Sequence, residues 1–171
     1  MAELTPLERL QPALLDRLCD DEPDKKVEAR ERRVLNRTQL REGVLRDLAW
    51  LFNATRPSER EGFSDYPEAA RSVLNFGLPP LSGESAASLD AMALETRVRE
   101  AILQFEPRID PDTLEVEVLM SEERLEQHNL IGIQIRGNMW AQPVPLELLL
   151  RTEMDLETGR VELSDLSRTG S

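Results

Sequence analysis

Residues 102–118 read ILQFEPRIDPDTLEVEV, and the change of rhythm across them decides the fold. On the amino-terminal side, Leu89, Met92, Leu94, Val98, Ile102, Leu103 and Phe105 recur every few positions, as one stripe of a helix requires. Beyond Pro111 the period falls to two: Leu114, Val116 and Val118 alternate with Glu115 and Glu117, a strand with one wet face. Between them, Pro107 drives Glu106 out of helical geometry and sets the direction in which the chain leaves.

Upstream of this junction everything reads as helix. Ser85 or Ser88 can cap the long stripe just described. A shorter stretch, PEAARSVLNF, opens at Pro67 and is closed by Gly77 and Pro79-Pro80. A second long helix spans Thr38 to Phe52, with Leu40, Val44, Leu45, Leu48, Leu51 and Phe52 on its stripe, Thr38 as its cap and Trp50 beside the stripe. Leu4, Leu7, Leu10, Leu14, Leu15 and Leu18 mark a first helix, interrupted by Pro12. Between these two, Asp20 to Arg33 carries six acids and five bases around Val27, too few apolar groups to pack a face. Downstream everything reads as strand. Leu130 to Arg136 (LIGIQIR) alternates, Val144 to Met154 is a third strand, and Glu157-Thr158-Gly159 marks a hairpin turn into Val161 and Leu163. The expectation is an α+β fold with amino-terminal helices packed on a carboxy-terminal sheet of three or four strands. It divides into an amphipathic helix (1–19), a charged linker (20–36), the α+β domain (37–165) and a flexible tail (166–171).

Composition narrows the chemistry. The 171 residues hold 21 Lys+Arg against 33 Asp+Glu, a formal charge of −12 that argues against a nucleic-acid partner. A single Cys19 and a single His128 can build neither an internal disulfide nor a zinc site. No apolar run reaches the roughly 20 residues a membrane span needs, and the start, MAELTPLERLQ, lacks a secretion signal, so a cytoplasmic protein without membrane insertion, metal or cofactor is expected. From Asp110 to Glu126 there are seven acids and one base. Glycosidase chemistry needs one carboxyl held protonated in an apolar pocket beside an ionised one. Glu115 and Glu117 share the wet face, where nothing raises a carboxyl pKa, and the acidic run has no glycine for a calcium loop. No nucleophile elbow partners His128, and no glycine cluster cradles phosphate. The expectation is a protein that binds proteins and is not an enzyme.

Two features suit that role. Phe105-Glu106-Pro107-Arg108-Ile109 presents opposite charges on a rigid corner anchored by two apolar residues; it reads either as an interface or as an ordinary helix-to-strand connection with a local ion pair. The long strands around Trp140, itself exposed in the GNMWAQP link, offer an edge that another chain's strand could extend.

The order of these parts is itself informative. LERLQPALLDRL, a charged linker, RTQLREGVLRDLAWLFNAT, YPEAARSVLNFGLPPLSG, a helix ending FEPRI, and a sheet ending WAQPVPLELLLRTEMDLETGRVEL follow one another. This resembles the TssE family of type VI secretion baseplate subunits, related to the gene-25 wedge protein of contractile phage tails. The strongest matches are Ser72 to Pro79 (SVLNFGLP) and Glu106-Pro107-Arg108. The resemblance implies a gene-25-like sheath initiator that sits with TssF, TssG and TssK in the wedge and starts the TssB–TssC sheath. It implies that Glu106, Pro107 and Arg108 contact the wedge core, and that the sheet edge accepts arms of sheath subunits, with Leu130, Ile131, Gln134, Arg136 and Trp140 as candidates. A related fold also suggests an alternative, a soluble anti-adaptor-like regulatory binder; a lysozyme-type enzyme, a label the family has carried, is a distant third that the carboxylates do not support.

Overall fold

The computed structural model describes residues 13–18, 37–57, 65–80, 90–119, 130–141 and 145–166. The linker, Cys19, His128, Ser85 and Ser88 lie outside them. In chain order the elements are α1 (Leu14–Leu18), α2 (Arg37–Asn53), α3 (Pro67–Ala70), a 3-10 turn (Val73–Asn75), α4 (Ala91–Phe105), β1 (Glu115–Leu119), β2 (Leu130–Met139), β3 (Leu146–Asp155) and β4 (Val161–Asp165). The change from helix to strand falls where the rhythm of residues 102–118 places it, and the fold is α+β.

The four strands form an antiparallel meander in the order β1-β2-β3-β4. Its register pairs Val116 with Ile135, Ile135 with Leu150, and Thr152 with Leu163. Paired residues share a face, so Val116, Val118, Ile131, Ile133, Ile135, Leu148, Leu150, Met154 and Val161 all turn one way. Against that face α4 lies over β1 and α2 over β4. Val44, Leu48, Leu51 and Phe52 of α2 and Leu94, Val98, Ala101 and Ile102 of α4 complete one continuous core. The opposite face carries Glu115, Glu117, Arg136, Glu153 and Glu162, which are exposed, with Gln134 and Arg151 partly buried among them. The carboxylates of Glu115 and Glu117 are exposed, as their alternation implies.

Three local expectations are corrected. The cap of α4 is Asp90, whose side chain accepts from the Ala93 amide at 3.1 Å. Asp is as good a cap as Ser, and starting here leaves Met92 exposed rather than on the stripe. Thr38 lies inside α2, not ahead of it. The leucines of α1 do not bury: Leu14 and Leu18 are 71% and 73% exposed.

Candidate functional site

Pro107 shapes the corner as expected. Glu106 ends α4 with φ −122° and ψ 77°, outside helical geometry, while its amide still bonds the Ile102 carbonyl at 2.8 Å. What the sequence does not reveal is where its carboxylate goes. Glu106 is only 3% exposed. It turns back onto Arg108, accepting from the Arg108 amide at 3.1 Å and from Nε at 2.7 Å through Oε1, and from Nη2 at 2.5 Å through Oε2. This is a two-pronged carboxylate–guanidinium pair, the strongest and most directional kind of charged hydrogen bonding. The buried acid of the motif therefore fixes the arginine, and Pro107 is the residue of the three that stands exposed.

The pair extends into α2. Arg108 Nη2 also donates to Asp47 Oδ2 at 2.5 Å, and Asp47 Oδ1 accepts from Arg46 Nε at 2.9 Å and Nη2 at 2.8 Å. Arg46 reaches on to Asp16 of α1 at 2.5 Å and lies 5.1 Å over the Trp50 ring. Charges alternate along Glu106, Arg108, Asp47, Arg46 and Asp16. Burial works against the charged form of Arg108, but the bonds from Glu106 and then Asp47 more than offset it and hold the guanidinium above its usual range. Arg46 is likewise raised, chiefly by Asp16.

Beside this network lies a cleft of about 180 Å³ lined by Asp47, Leu48, Trp50, Leu51, Phe76, Phe105 and Glu106. Its aromatic lining is Trp50 of α2, Phe105 of α4 and Phe76 of SVLNFGLP. Ser72 caps the 3-10 turn by accepting from the Leu74 amide. Gly77 has φ +120°, and a Cβ there would stand 2.3 Å from the Ala54 carbonyl oxygen, so only glycine lets the two backbones meet. The Arg56 amide then donates to the Leu78 carbonyl and the Leu78 amide to the Ala54 carbonyl, both at 2.9 Å. Held this way, Phe76 packs edge-on to Phe105 at 5.1 Å. Trp50, Val73 and Leu74 remain exposed nearby.

The second group of candidates is rearranged by the topology. β2 and β3 are interior strands and the edges are β1 and β4, because a meander leaves its first and last strands unpaired on one side. The length and clean alternation of 130–136 and 144–154 belong here to strands paired on both sides. Ile131 is wholly buried in the core and presents nothing outward. Leu130, Gln134 and Arg136 share the open face, and Trp140 is exposed just past the end of β2. Trp140 also meets the first group: its amide donates to the Arg108 carbonyl at 2.8 Å, next to an isolated bridge between Ile109 and Met139. The corner is thereby riveted to the sheet. Both edges are also tethered by helix side chains. Glu95 of α4 accepts from the Val118 amide of β1 at 2.9 Å, while Asn53 of α2 bonds both the amide and the carbonyl of Val161 in β4, at 3.0 and 2.9 Å.

Among the described residues no cluster of His, Cys, Asp and Glu is arranged to hold a metal ion, and no helix is long and apolar enough to cross a membrane. A family model described as baseplate wedge protein gp25 matches residues 38–144, well over half the chain and including the whole Glu106–Arg108 corner. The chain belongs to the gp25 baseplate wedge family. No curated protein and no solved structure gives a significant match. Membership makes this a baseplate component of the phage or type VI secretion kind, from a family that is structural rather than catalytic. The gp25 match takes in α2, the SVLNFGLP segment, α4, β1 and β2; α1, β3 and β4 fall outside it.

Proposed function

We propose that this gp25-family chain is the TssE-type subunit of a type VI secretion baseplate, a cytoplasmic protein that joins the TssF–TssG–TssK wedge and starts polymerisation of the TssB–TssC sheath. The observation that carries the reading is the family match across the Glu106–Pro107–Arg108 corner. Its geometry supports a docking role: a guanidinium clamped by two carboxylates, riveted to the sheet through Trp140, next to an aromatic cleft with Trp50, Val73 and Leu74 exposed around it. A surface that is rigid before binding loses little conformational freedom on association. The wedge takes the corner and cleft, and the sheath takes the sheet, either at an edge or on the face bearing Leu130, Gln134 and Arg136 with Trp140.

Capture of TssF–TssG by the purified full chain, followed by sheath assembly in cells, tests the reading. Arg108→Glu sets a third carboxylate beside Glu106 and Asp47 and abolishes incorporation, since truncating a hydrogen-bonded charge at a desolvated interface costs about 2–5 kcal/mol. Because that variant also strains the fold, Val73→Asp/Leu74→Asp provides the control. Both positions are exposed, so stability stays within about 0.5 kcal/mol while capture is lost. Normal incorporation of both variants refutes the site.

A further inference from the structure

Gly43 stands in the middle of α2 and is buried. A Cβ built on it would meet Arg108 Nη1 at 3.5 Å and Asp16 Oδ2 at 3.6 Å. The missing side chain thus leaves a small hollow on α2, with a guanidinium nitrogen on one side and a carboxylate oxygen on the other. That nitrogen has unused capacity. Arg108 spends Nε and Nη2 on Glu106 and Asp47, while Nη1 is buried with no hydrogen-bond partner. Opposite it, Asp16 is held to Arg46 through Oδ1. α1 carries this acid to the site while leaving Leu14 and Leu18 turned to solvent. A helix docked by its apolar stripe would do the reverse, so the carboxylate is what this segment contributes here.

We propose that the hollow over Gly43, walled by Arg46 and Arg108, is a carboxylate receptor that Asp16 closes in the free chain and that an acidic side chain of the wedge partner takes over on assembly, bonding Arg108 Nη1. The partner clause rests on the baseplate reading above. The spare donor and the present occupant select the ligand: Arg108 Nη1 is buried without a partner, and Arg46 already holds a carboxylate there, that of Asp16. Exchanging one carboxylate for another leaves the local charge unchanged. It also frees α1 from its ion pair with Arg46.

Two measurements on the full chain decide it. The first uses acetate alone as the carboxylate probe and follows the guanidinium N–H resonances of Arg46 and Arg108 by NMR. In Asp16→Ala, acetate shifts both sets saturably, at about a tenth of the concentration that wild type requires, because the internal competitor is gone. Adding Gly43→Ala, whose Cβ fits at ordinary contact distance, abolishes the Arg108 response. An Asp16→Ala protein no more responsive than wild type overturns the receptor. The second measures affinity for TssF–TssG: Asp16→Ala binds about fivefold tighter, and Gly43→Ala about tenfold weaker with its melting temperature undiminished. If wild type binds and both variants match it, the partner clause is wrong. If wild type fails to bind, the wedge reading falls and takes that clause with it, while the acetate response still decides the receptor.

Discussion

Glu106 changes meaning between sequence and structure. Read along the chain, Glu-Pro-Arg offers two charges to a partner. In the fold the acid is buried and fully engaged with Arg108, which leaves the exposed Pro107 and the partly exposed Arg108 to face outward. The local ion pair is present, and under the proposed docking role it is what makes the corner stiff. Removing one member of a buried pair leaves the other charge uncompensated, so Glu106→Ala is expected to destabilise the protein by about 3–5 kcal/mol. Urea unfolding measures this, and a loss under 1 kcal/mol would show the carboxylate to be dispensable. Gly43 marks the same site from the other side. A glycine inside a helix costs about 1 kcal/mol relative to alanine, and a Cβ there would meet Arg108 and Asp16 only at ordinary contact distance, so packing in the free chain does not by itself require the glycine.

At the scale of elements, side chains of α2 and α4 fasten the ends of the sheet. Asn53 occupies both polar groups of Val161 at the start of β4, much as a neighbouring strand would. Asn53→Ala leaves them without those bonds, with an expected cost of about 1–3 kcal/mol and faster hydrogen exchange at the Val161 amide. The β3–β4 turn is set by Asp155, whose Oδ1 accepts from the Glu157 amide at 2.8 Å and the Thr158 amide at 3.2 Å, while Gly159 supplies φ +72°. These bonds, that from Thr158 foremost, hold the Asp155 carboxyl below its usual 3.8. A lowered pKa in the folded state means the turn's contribution is complete above the unfolded value and disappears as pH falls through the folded one. An NMR titration should place the Asp155 midpoint below 3.8, and Asp155→Asn should remove that part of the acid sensitivity.

For the molecule as a whole, the fold was largely legible because it rests on local rhythm. The stripes of α2 and α4, the alternation of β1 to β3 and the Glu157–Gly159 turn all state their periods within a dozen residues. The site was legible only in part. Glu106-Pro107-Arg108 could be singled out, but its use of Asp47, 61 positions away, depends on how α2 lies beside the corner, which no local pattern encodes. Which strands form the edges is likewise a property of topology, and the regular alternation of β2 does not distinguish an interior strand from an edge. SVLNFGLP could be quoted as a signature, yet the reason for Gly77 appears only once Ala54 is seen against it. On the proposed reading, the corner with its cleft and the sheet with Arg136 and Trp140 are two surfaces by which the molecule joins two assemblies without transforming either. The dissociation constant of the full chain for purified TssF–TssG, wild type against Arg108→Ala and Arg136→Ala, tests this most directly. The account predicts at least about a tenfold loss for Arg108→Ala and none for Arg136→Ala; wild-type affinity in the Arg108 variant, in a protein shown to be folded, would contradict it.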